Sequence, residues 1–307
     1  MRLVRHLSDL PFASVADGSV VTIGAFDGIH LGHRQLLRRV VDVAMQSNRP
    51  AIAMSFEPTP KEFFAGDQPP ARLMRFREKL DALAERKIDI FYCPRFGNEM
   101  RNIAADAFIR RVLVHGLNAR HIVVGDDFHF ARRREGSVED LLRVAPALDL
   151  TVEQVPSILV GNSRVSSTSV REALAAGNLE RATALLGRPY RMSGRVVRGR
   201  QVGRALGYAT ANVDLRRRQS AVMGIYAVRV HGLPDGPIDG VASIGTRPTF
   251  DLVKPLLEVH LFDFDRDIYV EYIHVDFIRH LRDEEKFESV DDLVAQMQID
   301  EENARSA

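Results

Sequence analysis

A single cysteine, Cys93, stands in a chain of 307 residues. It excludes an internal disulfide and any cysteine-based zinc site. Charge of one sign is also missing in excess: the formal net charge is +1, so no general electrostatic pull toward nucleic acid or an anionic membrane exists. No apolar run reaches membrane-spanning length, and the opening stretch MRLVRHLSDL has no signal-peptide core. A cytoplasmic protein with no membrane and no nucleic-acid partner is therefore expected. Lysine is scarce, with five among 42 basic residues. The arginine excess favours forked recognition of phosphate or carboxylate, or else reflects a GC-rich genome. Neither the Walker A pattern nor GxGxxG occurs, so a nucleotide site here must be built another way. Repeats and low-complexity segments are absent as well.

The stretch around which the chain is organised is 20–40, VVTIGAFDGIHLGHRQLLRRV. An apolar strand, 20–23, runs into a turn with Gly24, Gly28 and Gly32, then into a helix carrying Leu36, Leu37, Val40 and Val41 at helical spacing. His30 and His33 lie three apart at the helix entrance and share one face. Close backbone approach at glycine, helix N–H groups and two imidazoles together form a receptor for phosphate oxygens, with Asp27 beside them. This stretch is read as a nucleotide site.

Further strands are expected at 51–56, 88–92, 121–124 and Thr151–Val155, with helices over 72–87 and 103–115. Alternation of this kind indicates a doubly wound, mostly parallel sheet. Ligands then collect beyond the C-terminal strand ends, where His30, Pro58 and the run Gly125, Asp126, Asp127, Phe128 all fall. Ser166, Ser167 and Thr168 open another helix, with Arg171 one turn on. Three hydroxyls at a helix start serve either as caps or as a polyphosphate site. The clusters 132–134 and 216–218 are solvated loop charge or phosphate contacts.

Helical periodicity stops near Leu186, Gly187, Arg188 and Pro189. Short alternating strands follow at 194–197, 225–230, 240–244, 256–262 and 270–277, as in an antiparallel barrel or sandwich. A last helix starts after Ser289, with Val290, Leu293, Val294 and Met297 on one face. The chain is thus divided into residues 1–186 and 187–307. Within the second part, GRQVGRALGYATAN carries Gly199, Gly203 and Gly207 at four-residue spacing, which suits either phosphates or barrel turns. Thr210 and Asn212 offer neutral oxygens usable as magnesium ligands. Glu258 alternates with Leu257 and Val259, so it is either solvent-facing or a general base lining a pocket.

These motifs, taken in order, resemble the bacterial bifunctional riboflavin kinase/FAD synthetase (FMN adenylyltransferase) family over nearly the whole chain. The carrying stretches are TIGAFDGIHLGH, FEPTPKEFF, ARLMRFREKL, VGDDFHF, RVSSTSVREALAAGNL, ALLGRPYRMSGRVV, GRALGYATAN, SIGTRPTF, LEVHLFDF and LRDEEKF. The resemblance implies an N-terminal nucleotidyltransferase domain that joins FMN to AMP and releases pyrophosphate. It also implies a C-terminal six-stranded barrel that phosphorylates riboflavin. On that basis His30, His33 and Arg171 act in adenylyl transfer, with Gly24, Asp27, Gly28, Gly32, Ser166, Ser167 and Thr168 around the ATP phosphates. Phe56, Pro58, Asp127 and Phe128 would line the flavin side. In the barrel, Gly199 and Gly203 would approach phosphate, Thr210 and Asn212 would hold magnesium, and Glu258 would activate the riboflavin hydroxyl.

The implied substrates are riboflavin, FMN and ATP, with FAD as product, in a monomer or weak homo-oligomer. Departures from the family pattern are Ala25 for asparagine and Ala131 for glycine. Around the kinase motif, Arg198, Arg200, Tyr208, Ala209 and Val270 replace the usual residues, the last of them a glycine. A second reading follows from these: an FMN adenylyltransferase whose kinase half is impaired.

Overall fold

A computed structural model describes residues 1–199, 207–249 and 252–307. They group into two compact units, Met1–Pro70 with Phe76–Val165, and Ala71–Arg75 with Ser166–Ala307.

The first unit is built on a six-stranded sheet. From edge to edge its strands are Arg2–Val4, Ile90–Tyr92, Ala51–Met54, Ser19–Ile23, Ala119–Gly125 and Thr151–Val155. Every neighbouring pair is parallel. Ser19–Ile23 and Ala51–Met54 are buried along their whole length, which is why they read as unbroken apolar runs rather than alternating ones. The chain moves from Ser19–Ile23 toward one edge and later restarts on its other side with Ala119–Gly125. The strand order therefore reverses between these two, and a crevice opens beyond their C-terminal ends. Helix Leu31–Ser47 covers the sheet with Leu36, Leu37, Val40, Val43 and Ala44 buried.

Three expectations for this unit shift. The strand expected over 51–56 ends at Met54, freeing Ser55 and Phe56 for the loop. Helix 72–87 begins only at Phe76, because the preceding five residues pack with the second unit. The helix expected over 103–115 is a short turn, Ala105–Ala107, that continues as a wider π-type helix, Phe108–Gly116. The edge strand Arg2–Val4 went unread: three residues, two of them exposed, carry no periodic signal.

The second unit is a closed antiparallel barrel of Tyr190–Val197, Thr210–Asp214, Leu252–Leu261, Ile238–Thr249, Gly224–His231 and Tyr272–Arg282, the last pairing with the first. Closure leaves no free sheet edge. Helix Val290–Arg305 is capped by Ser289, which accepts from the Asp292 N–H. Of its expected apolar face Leu293, Val294 and Met297 are half-buried and Val290 is 58% exposed, while Asp300 and Ala304 are buried. Ala304 packs in an apolar cluster with Ala227 and Phe262, and the Arg282 guanidinium grips both Asp300 carboxylate oxygens at 2.7–3.1 Å. Residues 166–186 also belong to this unit. Helix Leu179–Leu186 buries Leu179, Ala182, Leu185 and Leu186 and ends at Gly187 with φ 68°.

Candidate functional site

In the first unit the connection from Ile23 to the helix at Leu31 is tightly determined. The Gly24 N–H donates to the Met54 carbonyl at 3.0 Å, and a Cβ at Gly24 would press on the Phe26 ring at 3.1 Å. Phe26, Gly28 and Ile29 adopt positive φ of 47°, 87° and 45°. Two of these are fully buried non-glycine residues, so a strained backbone is held by packing from beneath. The Ala25 carbonyl just before them accepts from the Lys79 ammonium at 2.7 Å and from the Ser55 hydroxyl at 3.3 Å. Lys79 is buried, as is Asp27.

His30 is the N-cap of Leu31–Ser47: its Nδ1 accepts from the His33 N–H at 3.3 Å. An accepting Nδ1 leaves Nε2 as the ring's N–H donor when the imidazole is neutral. His33 stacks on His30 with centroids 3.7 Å apart and meets the Phe26 ring edge-on at 5.3 Å. Burial holds the His33 pKa well below 6.5, and the neighbouring His30 and Lys79 charges push it the same way. Its Nδ1 is buried without a hydrogen-bond partner within the protein. Buried polar atoms are nearly always paired, so this one suits a ligand group.

Beyond the next strand, Phe56 lies edge-on to Phe96 at 5.4 Å, and Phe63 meets Phe96 at 5.3 Å. Pro58 follows a cis peptide bond from Glu57. Phe128 stacks on Phe130 at 5.5 Å. Phe56 and Phe128 both pack against one apolar cluster of this unit. Asp127 is ion-paired with Arg164 at 2.7 Å, and Asp126 accepts from the Ser157 hydroxyl and N–H at 2.6 and 2.9 Å. Those Ser157 bonds hold the Asp126 pKa below its usual value, with Arg164 adding to the effect against the cost of burial. Asp127 thus tethers a loop in addition to any flavin contact.

In the second unit Ser166 and Ser169 form a reciprocal capping box at 3.0 and 3.1 Å. Ser166 is therefore occupied as a cap, while Ser167 and Thr168 fill the first helical positions and Thr168 is exposed. Arg171 donates to the carbonyls of Ala71 at 2.6 Å and Ser167 at 3.1 Å.

The barrel brings its expected residues together. Asn212 pairs across the ladder with Glu258, Thr210 with His260, and Ser243 with Glu258 from the other side. Directly opposed residues of antiparallel strands share a face, so Thr210, Asn212, Ser243, Glu258 and His260 line one side of the sheet. Asn212 is buried, and its amide occupies the space a Cβ at Gly199 would need. The Glu284 carboxylate likewise fills the space beside Gly245. Burial raises the Glu284 pKa; Arg282 opposes this and Glu258 adds to it. Gly203 and Arg200 lie outside the described residues. Arg198 sits over the Tyr269 ring at 5.5 Å.

Ser55, Lys79, Phe96, Ser243 and Glu284 were not singled out in the sequence. Only Lys79 left a signal there, as one of few lysines set in an otherwise amphipathic helix.

A parallel-sheet unit with a histidine-capped glycine turn, and a closed barrel with an Asn–Glu–Ser ladder, are the two constellations the chain presents. The FAD synthetase family model matches residues 13–169 and the riboflavin kinase model residues 186–307. The bifunctional riboflavin kinase/FMN adenylyltransferase of Escherichia coli (strain K12) is 45% identical over 305 residues, covering 99% of this chain and 97% of that protein. Its counterpart in Haemophilus influenzae is 41% identical over 307 residues, covering 100% and 99%. A crystal structure described as a macrolide-efflux protein from Streptococcus pneumoniae superposes with a TM-score of 0.83 at 32% identity, covering 99% of this chain and 98% of that one. Among the described residues no helix is long and apolar enough to cross a membrane. The chain belongs to the bifunctional riboflavin kinase/FMN adenylyltransferase family.

Proposed function

We propose that the two reactions of this family are divided between the two constellations described above. The chain is a riboflavin kinase and FMN adenylyltransferase: ATP phosphorylates riboflavin to FMN, and a second ATP converts FMN to FAD with release of pyrophosphate. In adenylyl transfer, an FMN phosphate oxygen attacks the α-phosphorus of ATP and negative charge concentrates on the phosphate oxygens. His30 Nε2–H, neutral His33 and the N–H groups opening Leu31–Ser47 are the donors for that charge. No covalent intermediate is needed, so positioning and electrostatics carry the catalysis. Phe56, Pro58 and Phe128 form the flavin wall.

In the kinase, Glu258 accepts the proton of the riboflavin hydroxyl as it attacks the γ-phosphorus, and ADP leaves with the β–γ bridging oxygen. Thr210 and Asn212 supply the oxygen donors that a hard cation takes. That donor set suits magnesium held chiefly through substrate phosphates. Magnesium, when bound, neutralises the phosphate charge that would otherwise repel the attacking oxygen.

The observation that carries this reading is the ladder placing Asn212 and Ser243 on either side of Glu258. Purified chain given riboflavin, ATP and magnesium should form FMN and then FAD. FAD from supplied FMN, with nothing from riboflavin, would overturn the kinase assignment and favour the impaired-kinase reading.

A further inference from the structure

Helix Phe76–Glu85 turns a charged residue toward the core of the first unit. Its buried positions are Glu78, Lys79, Ala82 and Leu83. Lys79, Ala82 and Leu83 fall at i, i+3 and i+4, so one stripe of the helix carries an ammonium beside two apolar side chains. Lys79 is 3% exposed. Taking an ammonium out of water costs stability that an apolar side chain of the same length would not. What a lysine adds at that position is its head group.

That head group donates to the Ala25 carbonyl at 2.7 Å. Ala25 stands in the turn between Ser19–Ile23 and Leu31–Ser47, directly before Phe26, the first of the positive-φ residues. The Gly24 N–H bonded to Met54 and the Ser55 hydroxyl bonded to Ala25 tie the turn to one neighbouring segment, 54–55. Lys79 ties the same peptide from a separate helix. A planar peptide whose carbonyl is held by two donors has a set orientation, and from it the backbone runs through Asp27 and Gly28 to the His30 cap. The Lys79 charge also reaches the imidazoles, being one cause of the lowered His33 pKa after burial and His30. All of these residues lie in the first unit.

We propose that Lys79 is a positioning residue for adenylyl transfer: its buried ammonium fixes the Ala25 carbonyl and, through the turn, the placement of Asp27, His30 and His33. The physical demand is strict, because a misplacement of about 1 Å costs about 10²-fold in rate. The inference rests on adenylyl transfer belonging to the first unit.

The test compares full-length protein with Lys79→Met, Lys79→Gln and Ser55→Ala. Methionine keeps an unbranched side chain and loses both donor and charge; glutamine keeps an N–H donor on a shorter side chain. FAD formation from FMN and FMN formation from riboflavin are measured separately, together with thermal melting and an NMR titration of His33. In Lys79→Met, turnover for FAD formation should fall on the order of 10²-fold. The Michaelis constant for ATP should change less, and riboflavin phosphorylation should keep its wild-type rate. The His33 titration should move up, since a neighbouring positive charge is gone. Lys79→Gln should lose less turnover than Lys79→Met, and Ser55→Ala less again. If Lys79→Met does not fold, Lys79→Gln decides by the same readings. Unchanged FAD turnover would overturn the proposal, as would a raised Michaelis constant at normal turnover or a His33 titration that does not move. A loss of turnover no larger than the loss of folded protein at the assay temperature would overturn it too. Wild-type protein that makes no FAD from FMN would instead refute the assignment on which the inference rests.

Discussion

His30 has two jobs that one substitution can separate. Its Nδ1 caps a helix and its Nε2–H is the donor assigned to phosphate. Asparagine keeps a side-chain acceptor at the cap and loses the imidazole donor. His30→Asn should therefore retain nearly wild-type melting while turnover for FAD formation falls about 10²–10³-fold, the effect of losing one preorganised donor. A mutant with normal turnover and only weaker ATP binding would contradict a role in the transition state.

His33 gives a pH signature. Its folded pKa lies below 6.5, so the unfolded chain takes up the proton first on acidification. The stability contributed by this group is complete above about pH 6.5 and is lost as the pH falls from there through the folded pKa. Melting temperature measured from pH 8 to 5 should drop more steeply for wild type than for His33→Gln. Parallel curves would show that the histidine is not buried as described.

At the level of elements, two departures from the family pattern leave a glycine's conformation in place with a larger residue inside it. Ala131, where glycine is usual, has φ 67° and ψ −169°. Val270, likewise where glycine is usual, has φ 64° and is 71% exposed. A β-branched side chain at positive φ is strained, by about 1–2 kcal/mol, partly offset by the freedom glycine adds to the unfolded chain. Val270→Gly should raise stability by about 1 kcal/mol or less, read by denaturant midpoint at unchanged slope; a loss would mean the backbone there is relaxed.

The same residues show what was legible in the sequence. VVTI, AIAM and HIVV announce buried parallel strands because both faces are covered, and the capped helix at Leu31 reads from its glycines and histidines. The strand Thr210–Asp214 is hidden in the sequence, since it follows directly on a glycine-rich run and is only five residues long. The Ser166 hydroxyl reads equally as a cap or a phosphate ligand until Ser169 is seen to complete the capping box. The start of helix Phe76–Glu85 was misplaced because Leu73 is apolar at the right spacing, yet it is buried with the barrel unit rather than on that helix.

For the whole molecule, a cut at Leu186 separates residues 166–186 from the unit they group with. Truncation there should uncover Leu179, Ala182, Leu185 and Leu186, which pack in the second unit. It would also remove Arg217, whose guanidinium donates to the Arg72 and Leu73 carbonyls. The fragment 1–186 should bind a hydrophobic dye, melt below the full chain and make FAD from FMN more slowly; a fragment matching the full chain in all three would show that residues 166–186 do not depend on the barrel.

The central claim is that one chain holds two independent phosphate-transfer sites, one served by His30 and the other by Glu258. Product analysis of two single mutants, alone and mixed, tests it most directly. Given riboflavin, ATP and magnesium, His30→Asn should stop at FMN. Glu258→Gln should make FMN about 10²–10⁴-fold more slowly, as expected for loss of a general base, while still converting supplied FMN to FAD at the wild-type rate. A mixture of the two should make FAD from riboflavin, with FMN passing between them through solution. His30→Asn protein that also fails to make FMN, or Glu258→Gln protein that makes it at the wild-type rate, would contradict the account.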